Sequence, residues 1–235
     1  MGQKKLIRFE AIKTFPNVFE YPEGMKGNWS KHFNNNHPIT LELACGRGEY
    51  TVGLSAMHPQ KNFIGIDIKG NRMYIGAKKC LNENRNNAAF LRTQIALLNN
   101  YFDENEVDEI WITFPDPQLR LSKAKKRLTH PHFLRLYQQI LKKGGSIHLK
   151  TDSPDLFYFT KMVTELYDLP IVDANEDVYA TSNNQELIGI KTYYEGLDIA
   201  QSNKVFYLHF KLPLALSKDD SELTNIIKEK IQLNK

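Results

Sequence analysis

The sequence predicts an α/β fold: a doubly wound, mostly parallel sheet with an antiparallel hairpin at its C-terminal end. Three observations predict it. From Thr40 onward, apolar runs of strand length alternate with amphipathic runs of helix length, the rhythm of parallel strands joined by crossover helices. The first apolar run ends in Gly46-Arg47-Gly48, a turn tight enough to lead a strand straight into a helix. After Tyr179 the rhythm gives way to two apolar runs around a polar turn, which reads as a hairpin.

Residues 1–38 are aromatic, basic and Asn-rich with weak periodicity, and read as a partly ordered N-terminal extension. Strands are expected at Ile39–Ala44, Phe63–Ile68, Ala88–Arg92, Glu109–Phe114 and Ser146–Thr151. Helices are expected near Tyr50–Met57, Asn71–Asn84, His132–Lys142 and Asp155–Tyr167. Gly144-Gly145 separates the third helix from the strand after it, and Ser153-Pro154 starts the fourth. Ile188–Tyr194 and Val205–Leu212 supply the hairpin, closing a domain that spans 39–213. The remainder, 214–235, reads as a helical tail with Leu223, Ile226, Ile227 and Ile231 along one side.

Composition narrows the class. No apolar run approaches the roughly 20 residues that span a bilayer. The opening Met1-Gly-Gln-Lys-Lys has charge but no apolar run behind it, so no secretory signal is expected. Cys45 and Cys80 are the only cysteines, too few for a disulfide framework and without zinc-ligand spacing; a reducing cytoplasm is the expectation. The net charge of +4 leans mildly toward anionic partners, and its distribution matters more.

The chemistry gathers at strand ends. Gly46-Arg47-Gly48 lacks the third glycine of a dinucleotide fingerprint, since position 51 is Thr51. Asp67 closes the second strand, where an acid suits a pair of ribose hydroxyls. Glu42 adds a second acid on the first strand. Two carboxylates beside a nucleotide-sized crevice repel a pyrophosphate and suit a cationic ligand with a ribose, which describes S-adenosylmethionine. Further along, Phe114-Pro115-Asp116-Pro117 leads into Arg120, Lys123, Lys125, Lys126 and Arg127 with no acid among them. A Pro-Asp-Pro turn alone is an ordinary strand ending, and most charge runs are solvated loops. Such a dense run beside a pinned carboxylate favours phosphate contacts. His130 and His132 have metal-like spacing but no evident third ligand, so a role at a helix N-terminus is preferred and no metal is expected.

Glu42-x-x-x-Gly46-x-Gly48, Asp67, Phe114-Pro115-Asp116-Pro117 with its basic run, Thr151-Asp152 and Thr192-x-x-Glu195 occur in this order. Together they resemble the bacterial tRNA (guanine-N7-)-methyltransferases over roughly residues 40 to 212. The resemblance implies a Rossmann-like class I methyltransferase sheet, S-adenosylmethionine as methyl donor, no metal, and a guanine in the tRNA variable loop as target. It implies donor contacts from Glu42, Gly46, Gly48, Asp67 and Gln94, the last standing where the family usually has an acid. Asp116 falls on the active-site aspartate and is placed at both donor and reacting centre. Arg120, Lys123, Lys125, Lys126 and Arg127 fall on the RNA-contacting segment. Asp152, Thr192 and Glu195 fall on the substrate pocket. Gln118 stands where many members have Trp. Tyr193 and Tyr194 could stack on a base or simply alternate along a strand. Two other readings stay open at this point: a base-amino methyltransferase, suggested by Pro-Asp-Pro, and a catalytically silent RNA-binding protein on the same scaffold. Monomer and homodimer are equally open.

Overall fold

The computed structural model describes residues 2–197, 201–213, 215–216 and 218–233. Its centre is one sheet of strands β1 (Val18–Glu20), β2 (Ile39–Leu43), β3 (Asn62–Asp67), β4 (Ala88–Arg92), β5 (Val107–Thr113), β6 (Leu141–Thr151), β7 (Ile171–Asn175) and β8 (Phe206–Lys211). They lie in the order β1-β4-β3-β2-β5-β6-β8-β7. All pairings from β1 to β6 are parallel, while β8 runs antiparallel to both β6 and β7. The winding reverses beside β2, with β3 on one side and β5 on the other. Such a reversal opens a crevice at the carboxyl ends of the strands.

β2 is buried along its whole length, as a central parallel strand covered on both faces should be. Crossover helices α3 (Glu49–Met57), α4 (Gly70–Asn82), α5 (Pro131–Gln138) and α6 (Pro154–Leu166) close the layers. Two caps explain where helices begin. Ser153 accepts from Leu156 N with Pro154 in the first turn. His130 Nδ1 accepts from His132 N, so the His-x-His spacing is a cap on α5.

Several expectations shift. β6 starts at Leu141, taking residues expected at the end of α5, and Gly144 lies inside it with a φ of 71°. Ile188–Tyr194 is no strand. Its first residue ends the short helix α8 (Gln185–Ile188), and the rest is turn; Ile190 of that turn and Leu187 of α8 pack with Tyr50, Leu54 and Trp111. The antiparallel partner of β8 is instead Ile171–Asn175.

The stretch before Ile39 supplies α1 (Gly2–Ile12), β1 and α2 (Trp29–Phe33). Trp29 is fully buried, stacks on Phe102 at 5.4 Å and donates from Nε1 to the Tyr101 carbonyl at 2.8 Å. At the other end, α9 (Ser221–Leu233) sends Leu223 into the same core cluster and packs on the Leu121–Lys126 turn. Ile231, expected on its apolar side, has a side chain outside the described residues. Among the described residues no helix is long and apolar enough to cross a membrane.

Candidate active site

The turn after β2 is shaped by backbone conformation. Ala44, Gly46 and Gly48 all have positive φ, at 55°, 56° and 74°. Cys45 N donates to the Ile66 carbonyl at 3.0 Å, tying the turn to β3. Glycine is required at 48 for a second reason: a Cβ there would lie 2.4 Å from the Phe90 ring. At the end of β3, Asp67 Oδ2 accepts from Gly46 N at 2.9 Å and Oδ1 from Lys69 N at 2.8 Å. Each carboxylate oxygen has a further lone pair for a ligand. Gln94 is exposed two residues past β4, after Thr93, whose N donates to the Asp67 carbonyl at 3.2 Å.

Glu42 lies lower than its sequence position suggests. It is 3% exposed. Its Oε2 accepts from Thr51 N at 2.7 Å and Thr51 Oγ1 at 2.6 Å, and its Oε1 from Thr113 Oγ1 at 3.1 Å. The carboxyl thus joins β2, the first turn of α3 and β5. Burial pushes its pKa up to about 7, while the Thr51 bonds pull downward and Glu49 adds repulsion.

Past β5, Phe114 takes a φ of 46° and its N donates to the Lys150 carbonyl at 2.8 Å. Asp116 is exposed, and its Oδ1 accepts from Gln118 N at 3.0 Å. This local bond turns the chain and leaves the other oxygen of the carboxylate toward solvent. The basic run then forms a 3₁₀ turn, Leu121–Lys126, anchored by buried Ala124. Arg120, Lys123, Lys125 and Lys126 are exposed around it.

Arg127 is a correction to the phosphate-contacting set. It is 3% exposed, and its guanidinium donates from Nε to the Pro117 carbonyl at 3.2 Å and from Nη2 to the Gln118 carbonyl at 3.3 Å. It also lies 4.4 Å from the Phe159 ring centre. A planar fork suits two neighbouring carbonyls, so this side chain braces the Pro-Asp-Pro loop against α6 and presents no charge outward.

Residues 36–208 match the family model described as "Putative methyltransferase". A tRNA (guanine-N(7)-)-methyltransferase of Porphyromonas gingivalis is 50% identical over 213 residues, covering 86% of each chain. The chain belongs to the tRNA (guanine-N7-)-methyltransferase family. The Christiangramia forsetii member is 44% identical, with 90% of this chain and 100% of that one covered. Among solved structures, the 16S rRNA methyltransferase KamB aligns with a TM-score of 0.61 at 14% identity, over 84% of this chain and 99% of that one. That likeness supports the class I methyltransferase fold.

The remaining expected site residues, Thr192 and Glu195, form a reciprocal cap. Glu195 N donates to Thr192 Oγ1 at 3.0 Å, and Thr192 N donates to Glu195 Oε2 at 3.1 Å. The Glu195 carboxylate also accepts from Lys150 Nζ at 3.3 and 3.4 Å and from the Tyr179 hydroxyl. Asp152 lies two residues beyond Lys150 at the end of β6, and its carbonyl accepts from Ser202 Oγ at 2.8 Å. Tyr193 and Tyr194 face the Gly turn. Arg47 stacks on Tyr193 at 3.6 Å, Arg72 lies 5.2 Å over Tyr194, and Glu49 accepts from Tyr193 N at 3.1 Å. Sequence reasoning missed Lys150, Thr113 and these two arginines. A lysine inside the apolar run before Asp152 was the one available signal.

Proposed function

We propose that this enzyme transfers a methyl group from S-adenosylmethionine to N7 of a guanine in the variable loop of tRNA. The observation that carries the reading is a convergence. Asp67, the Gly46–Gly48 turn and Asp116 occupy the ends of neighbouring strands at the winding reversal, and exposed Arg120, Lys123, Lys125 and Lys126 follow directly. The residues present fit the donor. The turn exposes backbone in positive-φ conformations, Asp67 retains acceptor capacity suited to ribose hydroxyls, and Gln94 beside it can both donate to and accept from an adenine.

When bound, S-adenosylmethionine supplies a methyl group activated by its sulfonium. Guanine N7 has a lone pair and no proton, so the chain need not provide a general base. Its task is alignment of the base with the methyl group. The purine gains positive charge during transfer, and Asp116 can stabilise that charge or accept from the guanine edge. The prolines at 115 and 117 limit its backbone freedom, and Arg127 holds the carbonyls that follow it. Asp152, Thr192 and Glu195 frame the guanine from the β6 side. The exposed cations of the 3₁₀ turn hold the phosphates, sequence-independently. Work on tRNA places the reaction in the cytoplasm.

Labelled donor incubated with unmethylated tRNA tests the reading. Aniline cleavage at a labelled guanine supports it. Label in another modified base supports an amino methyltransferase, and no incorporation supports a silent RNA-binding protein.

A further inference from the structure

Lys150 is a buried cation that no step of the proposed transfer uses. It stands on β6 and is 0% exposed. Its ammonium donates to the Leu187 carbonyl at 2.6 Å, the Ile190 carbonyl at 3.4 Å, the Glu195 carboxylate at 3.3 and 3.4 Å and the Tyr179 hydroxyl at 3.4 Å. The rings of Tyr50, Phe114 and Tyr179 lie 5.5, 5.6 and 5.3 Å from it. Burial pulls its pKa down and Glu195 pulls it back up.

The contacts connect parts of the site that are distant in sequence. Lys150 precedes Thr151-Asp152 at the end of β6, and its own carbonyl receives Phe114 N at the start of the Asp116 loop. Through Leu187 and Ile190 it gathers α8 and the segment after it, and through Glu195 it reaches the cap with Thr192. A cation costs far more than a methionine to bury unless its charge is used. Resting on the proposed function, we propose that Lys150 is a positioning residue for methyl transfer: its ammonium holds the Glu195 carboxylate, and with it the Thr192–Glu195 turn, against the strand end that carries Asp152.

The groups facing the Glu195 carboxylate come from several elements. Lys150 approaches from β6, Tyr179 from α7 (Val178–Thr181), Tyr50 from α3, and Lys191 from the same loop, 5.0 Å over the Tyr179 ring. With Lys150 replaced by methionine, the tyrosines offer hydroxyls but no charge, and Lys191 is exposed. The Glu195 carboxylate then loses the buried charged partner that ties its turn to β6.

The test is Lys150→Met, assayed by single-turnover methylation with saturating donor and tRNA, with amide exchange followed by NMR. The rate is expected to fall about 30-fold relative to wild type. Dissociation constants for S-adenosylmethionine and tRNA should move less than about threefold. The amides of Thr192 and Glu195 should exchange about tenfold faster, with those of β2 unchanged. An unchanged rate, a loss confined to affinity, or unaltered exchange at Thr192 and Glu195 overturns the proposal. Lys150→Met/Glu195→Gln removes both charges and guards against misfolding from a buried unpaired carboxylate. It is expected to fold and stay slow, and a wild-type rate in it would reduce the pair to packing. Should the wild type methylate no tRNA guanine, the functional reading falls, while the exchange rates still judge the hold of Lys150.

Discussion

Glu42→Gln is the most informative single substitution at the floor of the site. The buried carboxyl has a pKa raised from 4.5 to about 7, burial being the largest cause. In the unfolded chain the group loses its proton near 4.5; in the folded chain it keeps the proton to about 7. Between those values the folded state binds more protons, so stability falls as pH rises through that window. At about 1.36 kcal/mol per pH unit the window is worth roughly 3 kcal/mol. Glutamine imitates the protonated acid. Its oxygen can accept from Thr51 N and Thr51 Oγ1, and its amide can donate to Thr113 Oγ1, where the carboxylate accepts. The variant escapes the loss, so its advantage over wild type should grow with pH between 4.5 and 7 and then level off. For a chain of this length the change in Tm difference is roughly 6–12 °C. Calorimetric melts of both proteins without donor, at several pH values across the window, read it directly. Titrations elsewhere in the chain cancel in the difference. A Tm difference that does not vary with pH would refute the reasoning and show that the Thr51 and Thr113 bonds keep Glu42 ionised. With donor present, a cationic ligand favours the ionised acid, so wild-type donor affinity should rise with pH and the variant's should stay flat.

Further substitutions probe the rest of the site. Asp67→Ala should weaken S-adenosylmethionine binding by about 1–3 kcal/mol and leave tRNA binding little changed, read by calorimetry; an unaltered donor affinity removes Asp67 from the donor site. Replacing exposed Lys123, Lys125 and Lys126 by Ala should flatten the salt dependence of tRNA binding by up to about 2–3 in slope. Arg127→Lys, with its guanidinium turned inward, should lower Tm and leave that slope intact. Asp116→Ala should cut the single-turnover rate by roughly 100-fold while donor and tRNA affinities change less than about tenfold. Asp116→Asn should outperform Ala where hydrogen-bond acceptance dominates and match it where charge dominates. A near wild-type rate in the Ala variant would reduce Pro-Asp-Pro to a turn.

What the sequence made legible depends on how far away a residue's partner lies. β2 and β3 were readable because their apolar residues are buried side by side, and a run of such residues is itself the signal. The caps on α5 and α6 were readable because cap and capped amide sit within three residues of each other. β7 was not, because Ile171 to Ala174 are exposed on an edge strand, with no inside face to mark a period of two. The apolar residues of Ile188–Tyr194 misled for the complementary reason. Ile190 packs on Gly53 of α3, so the run is buried without being a strand. The same rule sorts the site. Asp67 and the Gly46–Gly48 turn stood out because each marks where a strand gives way to a turn, and the fold joins them through Gly46 N and Asp67 Oδ2. Arg127 looked identical to its neighbours in the basic run, since the two carbonyls that turn it inward lie nine and ten residues upstream. Thr192-x-x-Glu195 was readable as a motif, but its chemistry was not. The local cap accounts for the spacing, whereas the charge on Glu195 is answered by Lys150, 45 residues away on another element. A motif therefore records where a local turn must form, and only the fold shows which distant side chain the turn holds in place.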